Sequence, residues 1–449
     1  MSNKAKALLS PLPDSPAGRQ LAWWLTLLVD AGEGASLADL DRYAPAMLAR
    51  LGPAQTVETL RATARANAER FGEIAGVAVE AADQAELTVL MTMANGRRWA
   101  VTLAVEPAAP HRITRLDVER RFDFQLDVRE ATAADAETLA DIERRCPIVL
   151  GDTSVHFDRG ADYLASTRLM QECTIGIASV DGVPAAVSCG AEHTVRIGGA
   201  LRQMVTVSHL RVLPEHQRKG LWGAANRALR KYWERADPVA GSNAYISVDN
   251  AGMQHGFANT PNKWGQIVQR AQLDCAALAG PMVGRPARLA AADAIVTRLN
   301  ASHDAEEMFV PYTAESFAAR MARAPDLYAW ERVWMTDGAL VGVWPAGDAL
   351  RVVTETRGVR TVSVRAVVLD YAFEPGAEDQ FEGLLRAWCG WLAPRGIDTL
   401  SIFTSPASPG AALLTALTRE TEGFFMWTPG IEVPEGADTR GLYVDAVYF

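Results

Sequence analysis

The chain is poor in cysteine, with Cys146, Cys173, Cys189, Cys275 and Cys389 scattered over 449 residues and no C-x-x-C pair or histidine pair at ligand spacing. That argues against a disulfide framework and against any bound metal, and leaves the thiols as small buried apolar groups. Long hydrophobic runs are lacking too. The longest, such as LAWWLTLLV, are about ten residues, whereas a membrane-spanning helix takes about twenty. The opening MSNKAKALLSPLPDSP has no hydrophobic region of a signal peptide, so a cytoplasmic protein without a membrane partner is expected. Basic runs are also missing and the net charge is −10, which speaks against nucleic acid as a partner. Neither a Walker A loop nor a G-x-G-x-x-G fingerprint occurs.

What is present is an ordinary globular composition, 49% hydrophobic and 22% charged, over a length that suits about three domains. Residues 1–122 read as a small α+β domain. Its helices are opened by Ser15-Pro16 (carrying Leu21, Trp24 and Leu25), by Ser36, and by Pro53 for a run to about Arg70. Two β-rich runs follow, joined at Asn95-Gly96 as for a type I′ hairpin, and then the strand HRITRLDVER.

From 123 the rhythm becomes α/β. FQLDVREA is a strand, AADAETLADIERR a helix, and CTIGIASVDGVPAAVSCGAEH a hairpin turning at Asp181-Gly182. The long strand QMVTVSHLRV leads into LPEHQRKGLWGAANRAL, and AYISVDN is the next strand. Residues 286–449 look like a second copy of 123–285. An offset of 156 lays LRKYW (Leu229–Trp233) over LRAWC (Leu385–Cys389) and Gly220 over Gly376, and an offset of 155 lays AYISVDN over TLSIFTS. The closing runs FFMWTPGIEV and GLYVDAVYF could complete the second copy's sheet.

The stretch around Gly220 carries the chemistry. Backbone N–H groups of a tight turn entering a helix converge on one spot, and the helix dipole adds positive potential, which suits a pyrophosphate. Arg218 and Lys219 add full charges there, and Arg227, Arg230 and Lys231 follow on the helix.

In this stretch, VLPEHQRKGLW resembles motif A of the GCN5-related N-acetyltransferases, whose strand is followed by Q/R-x-x-G-x-G/A. Gln217, Arg218, Lys219, Gly220 and Leu221 match; Trp222 takes the last, small place and Gly223 comes one late. The bulky Trp222 resembles instead the R-x-x-G-L-L turn of the tandem, Eis-like branch, in which a degenerate module follows the active one. SPAGRQLAWWL and YAPAML resemble a ketosteroid-isomerase-like, cone-shaped domain.

The resemblance implies two tandem acetyltransferase-like mixed-sheet domains behind a small α+β domain. It implies acetyl-CoA or another acyl-CoA as cofactor, and direct acyl transfer to the amine of a small molecule. It also implies that backbone groups of Leu210, Arg211 and Val212 hold the pantetheine arm, with an N–H near Leu210 polarising the thioester. The amides of Arg218–Gly223 would hold the pyrophosphate, and Asn250 the arm.

The family's tyrosine acid is missing, since Phe257 stands seven residues after Asn250, and Thr206 stands where some relatives carry an acid. Candidate bases are His209, then His255, with Glu192, His193 and Asp249 behind them. Glu374, Glu378 and Asp379 make the second copy's turn repel a pyrophosphate, so one cofactor site per chain is expected. Trp222, Trp264, Trp330, Trp334 and Trp344 could wall an apolar acceptor cleft, and an oligomer is compatible with the sequence. Two rival readings stand beside this one: an acyl-CoA-binding protein that does not catalyse, and a small-molecule or isomerase-like activity in the first 120 residues.

Overall fold

The computed structural model describes residues 9–51, 56–229, 231, 240–250, 253–254, 263–418, 420–429, 436 and 440–448. The chain divides into two compact units, Met1–Phe124 and Gln125–Phe449.

In the first unit, helix α1 (Pro16–Val29) starts because the Ser15 hydroxyl accepts the Gly18 N–H at 3.1 Å and Pro16 supplies a preset φ. Helices α2 (Pro45–Leu51) and α3 (Val57–Phe71) follow, and Ser36 opens a 3₁₀ turn, Leu37–Arg42. They pack on an antiparallel sheet in the order β1 (Ile74–Ala82), β2 (Glu86–Met93), β3 (Arg98–Val105), β4 (Ile113–Arg121). Leu21, Trp24 and Leu25 meet Leu87, Val89, Met91, Val101 and Leu103 in its core.

The turn at Asn95-Gly96 differs from expectation, because only Gly96 has positive φ (79°), whereas type I′ needs two such residues. Instead the Met93 N–H donates to Arg97 and Gly96 donates back to Met93, a three-residue loop closed by a glycine bulge. Strand β1 was not anticipated; most of its residues are exposed, so it lacks the apolar alternation that marks a half-buried strand.

Among the described residues, the second unit is built on one mixed sheet of fourteen strands. Its first half contributes β5 (Leu126–Glu130), helix α4 (Ala136–Arg145), β6 (Ile148–Leu150), β7 (Thr153–Asp158), β8 (Glu172–Val180), β9 (Val183–Ile197) and β10 (Ala200–Val212). Helix α5 (Leu221–Ala225), β11 (Gly241–Ser247) and β12 (Lys263–Asp274) complete it. The second half contributes β13 (Arg285–Pro286), helices α6 (Ala292–His303) and α7 (Ala314–Arg323), β14 (Val333–Met335) and β15 (Ala339–Thr356). Then come β16 (Val359–Phe373), α8 (Glu378–Leu392), β17 (Thr399–Thr404) and β18 (Glu420–Pro429).

The halves repeat one pairing pattern. Strands β10 and β11 run parallel over three pairs only, Met204↔Gly241 to Thr206↔Asn243, and β16 and β17 do the same from Arg365↔Thr399 to Val367↔Ser401. Each long strand then carries a bulge, at His209-Leu210 on β10 and at Leu369 on β16. Each is followed by a left-handed glycine, Gly220 at φ 84° and Gly376 at φ 86°.

The halves also exchange their last strands. The central order is β16-β17-β12-β18-β11-β10, so β12 lies beside β17 and β18 beside β11. This corrects the expectation for the C-terminal runs. FFMWTP does not close its own half, and in the last run Leu442 makes an isolated bridge to Glu307 and Ala446–Tyr448 form a 3₁₀ turn. The second half keeps a large core in which Ala271 and Leu273 of β12 pack with Ala366, Leu400, Trp388 and Phe381.

Candidate functional site

Beyond Thr206, β10 and β11 part: β11 continues against β18 from Ala244 to Ser247, while β10 stays bonded to β9 on its other side. The edge of β10 from Val207 to Val212 therefore has no strand partner on the β11 side among the described residues. Within that edge Ser208 faces Cys189 and Arg211 faces Val187, so His209 and Leu210 together stand opposite Ser188. Such a bulge leaves backbone groups outside the ladder and bends the strand, and His209 takes φ 51° to do so.

The bulge is held from one side by a buried ion pair. Arg211 Nη2 and Nε donate to Glu143 Oε1 on α4 at 2.6 and 3.0 Å, and Tyr163 Oη donates to Oε2 at 3.2 Å. Burial alone pushes the Glu143 carboxyl up, but Arg211 and Arg159 with these hydrogen bonds outweigh it and hold it below its ordinary value. Glu143, Arg159 and Tyr163 were not singled out in the sequence; they come from separate elements, and no spacing links them to Arg211.

The backbone at 210–212 already meets local donors. Arg211 Nη1 reaches the Leu210 carbonyl at 2.9 Å and Gln217 Nε2 the Val212 carbonyl at 3.3 Å. After Val212 the chain makes a 3₁₀ turn, Pro214–His216, then Arg218 at φ 61° and Gly220 as the left-handed residue before α5. The Gln217 and Lys219 amides are used inside the turn, on Pro214 and His216. The first turn of α5, from Leu221 to Gly223, begins with N–H groups that have no intrahelical acceptor.

Leu221 is buried, Trp222 and Lys219 are exposed, and Gly223 has open space around a notional Cβ. Gly220 thus needs glycine for its φ, and Gly223 shows no such need. Of the flanking cations, Lys231 sits 3.6 Å from Glu130, and Arg230 lies outside the described residues.

His209 is buried, its Nδ1 2.9 Å from Ser208 Oγ and its ring 6.1 Å from that of Tyr163. Its Nε2 has no hydrogen-bond partner among the described residues. Burial, then Arg159 and Arg211, hold its proton affinity well below the ordinary value, so the ring is neutral and a weak base.

His193 on β9 is held to about 4, burial being the main cause. Its Nε2 lies 2.7 Å from Thr206 Oγ1, which donates to Asn243 Oδ1 at 2.8 Å, and its ring stacks on Tyr448 at 4.1 Å. Glu192 faces Val205 across the ladder, and Asp249 is exposed beyond β11. Asn250 follows it, with Oδ1 accepting the Met253 N–H at 3.2 Å in a local cap. His255 and Phe257 lie outside the described residues.

The tryptophans do not form one wall. Trp264 is fully buried in β12, Trp334 stacks on Trp388 in the second core, Trp344 is buried on β15, and Trp330 meets Phe317. Bulky side chains supplied by different elements serve different cores. In the second half the corresponding mouth is lined by the protein's own C-terminal segment. Leu442 donates to Ser405 Oγ at 2.8 Å past the end of β17, and Arg320 holds Asp445 by two bonds at 2.8 and 3.0 Å while meeting Asp370 of β16.

No family model matches the chain, and no curated protein matches it. Among solved structures it is similar to N-myristoyltransferase of Saccharomyces cerevisiae with bound myristoyl-CoA. One such structure has 8% identity over 70% of this chain and 86% of that one, at a TM-score of 0.50. A second structure of the yeast enzyme, with myristoyl-CoA and inhibitors, gives 10% identity over 69% and 81%, at 0.51. A GCN5-related N-acetyltransferase from Kribbella flavida gives 12% over 68% and 71%, at 0.36. At these identities the likeness is one of fold: the chain shares the mixed α/β fold of the N-myristoyltransferase structures.

Proposed function

We propose that residues 123–449 form an acyl-CoA-dependent N-acyltransferase of the tandem, Eis-like kind, with the cofactor bound once, in the half 123–285. The parting of β10 from β11 beyond Thr206, with a bulge on the exposed edge, carries the reading. A pantetheine arm fits such an edge because its amides can take the hydrogen bonds a missing strand would make. The turn from Arg218 to Gly223 would take the pyrophosphate, and a Leu210 backbone N–H in the bulge would polarise the thioester carbonyl.

The acyl group is acetyl or a close relative, the acceptor is the amine of a small molecule, and the net charge of −10 favours a cationic one. The half 286–449 binds no CoA and closes the sheet, and residues 1–122 form a ketosteroid-isomerase-like domain. The protein works in the cytoplasm.

Titration of the full chain with acetyl-CoA and with myristoyl-CoA, followed by release of free thiol over a panel of amines, tests the proposal. Saturable binding with thiol release is expected, and absence of binding to both thioesters overturns it. Binding without turnover favours a second reading, an acyl-CoA sensor. That reading is motivated by the weak base at His209 and by Phe257 in place of a tyrosine.

A further inference from the structure

Four adjacent strands, β18, β12, β17 and β16, present one face on which buried donors lack partners. Gln272 of β12 pairs with Ser401 of β17, Arg270 of β12 with Glu422 of β18, and Arg365 of β16 with Thr399 of β17, so these side chains share that face. Arg365 and Arg270 are buried, their side chains 9% and 11% exposed, and Glu422 at 30% marks the open side. Arg365 Nε and Nη1, Arg270 Nε and Ser401 Oγ are all buried and, among the described residues, without a hydrogen-bond partner.

Glu422 is already engaged by Arg270 and Gln272, and it stands 3.8 Å from Arg365 Nη2. Arg270 lies over the rings of Phe424, at 5.2 Å, and Phe403, at 5.9 Å. Burial first, and then the charge of Arg270, push Arg365 down to about 9 against the opposing pull of Glu422 and Glu420.

The fold does not require this arrangement. In the first half, the place of Arg365 in the parallel pairing is held by Met204, which is fully buried, and that of Ser401 by Asn243. An apolar side chain satisfies the same position there, so Arg365 and its unpaired nitrogens need a reason outside the architecture.

We propose that Arg365, Arg270 and Ser401 form a binding site for a small monocarboxylate with an apolar body. The unpartnered atoms are all donors, N–H groups of two guanidinium groups and a hydroxyl, and the part-exposed Glu422 is taken up by Arg270 and Gln272, so a carboxylate oxygen is the acceptor they lack; a phosphate brings no apolar body to set beside Phe403 and Phe424. Arg365 Nε or Nη1 offers a charge-assisted donor to a carboxylate oxygen, Arg270 Nε and Ser401 Oγ add further donors, and Phe403 and Phe424 flank the ligand's body. The site is separate from the parted edge of β10, and the proposal does not depend on acyl transfer.

Calorimetric titration of the full chain with benzoate, phenylacetate and hexanoate, with sodium chloride and inorganic phosphate as controls, tests it. At least one carboxylate is expected to bind saturably. Arg365→Met should weaken that binding at least tenfold and Ser401→Ala several-fold. Should Arg365→Met not fold, Arg365→Lys keeps the charge, loses the Nε and Nη1 donors and should still bind at least several-fold more weakly. No saturable binding by any of the three, phosphate binding as tightly, or unchanged affinity in the Arg365 and Ser401 variants would each overturn it.

Discussion

At the scale of the residue, the proposed cofactor turn rests on Gly220, whose φ of 84° a side chain adopts only at a cost of about 1–2 kcal/mol. Gly220→Leu is expected to fold with a loss of that order in chemical denaturation, and to abolish acetyl-CoA binding by titration. Glu143 should matter for a different reason. Glu143→Leu strands Arg211 as a buried unpaired charge and is expected to cost about 3–5 kcal/mol.

The acid sensitivity of the fold has a definite sign. His193 and His209 take up protons in the folded state only at lower pH than when unfolded. Their contribution is therefore complete above the unfolded value of about 6.5 and falls by up to about 1.36 kcal/mol per pH unit per histidine below it. The depressed carboxyl of Glu143 adds its own loss further down, below about 4.5. Denaturation midpoints at pH 7.5 and 5.5 should converge when both histidines are replaced by glutamine.

At the scale of the element, the strand–turn–helix around Gly220 was legible because its signals are local: a β-branched run, a proline, a glycine, then alanines. The hairpin at Asp181-Gly182 was legible likewise, with both residues at positive φ, 50° and 83°. The bulge at His209-Leu210 was not, since a bulge is a relation between two strands and leaves no mark on one. Nor was the length of α5, which ends at Ala225 and passes into a 3₁₀ turn, Asn226–Leu229, where an alanine-rich helix was expected to run on. The tightness of its seat explains part of this: a Cβ on Gly176 or Gly190 would strike Ala225 or Leu229, so the segment is shaped by β8 and β9 beneath it.

At the scale of the whole molecule, the repeated strand pairing, bulge and glycine turn have a matching offset in the sequence, but the exchange of last strands leaves no such trace, because either arrangement buries the same side chains. The exchange makes Gly265 of β12 a joint of the second unit, where a Cβ would lie 2.1 Å from the Phe425 ring of β18 and 2.8 Å from the Met426 carbonyl. Gly265→Ala is expected to cost about 1–3 kcal/mol by overpacking, and to lower both halves together in a single calorimetric transition. Two separately shifted transitions would show that the halves unfold independently.

The shared β12–β18 seam also sets an order on the ribosome. Strand β11 cannot acquire its β18 neighbour until residue 429 has left the exit tunnel, although β10 was translated more than two hundred residues earlier. The nascent first half must therefore wait with an open edge. Chains halted before β18 are expected to be captured by chaperones and to show no protease-resistant first half. Acyl-CoA affinity should appear only as synthesis nears its end.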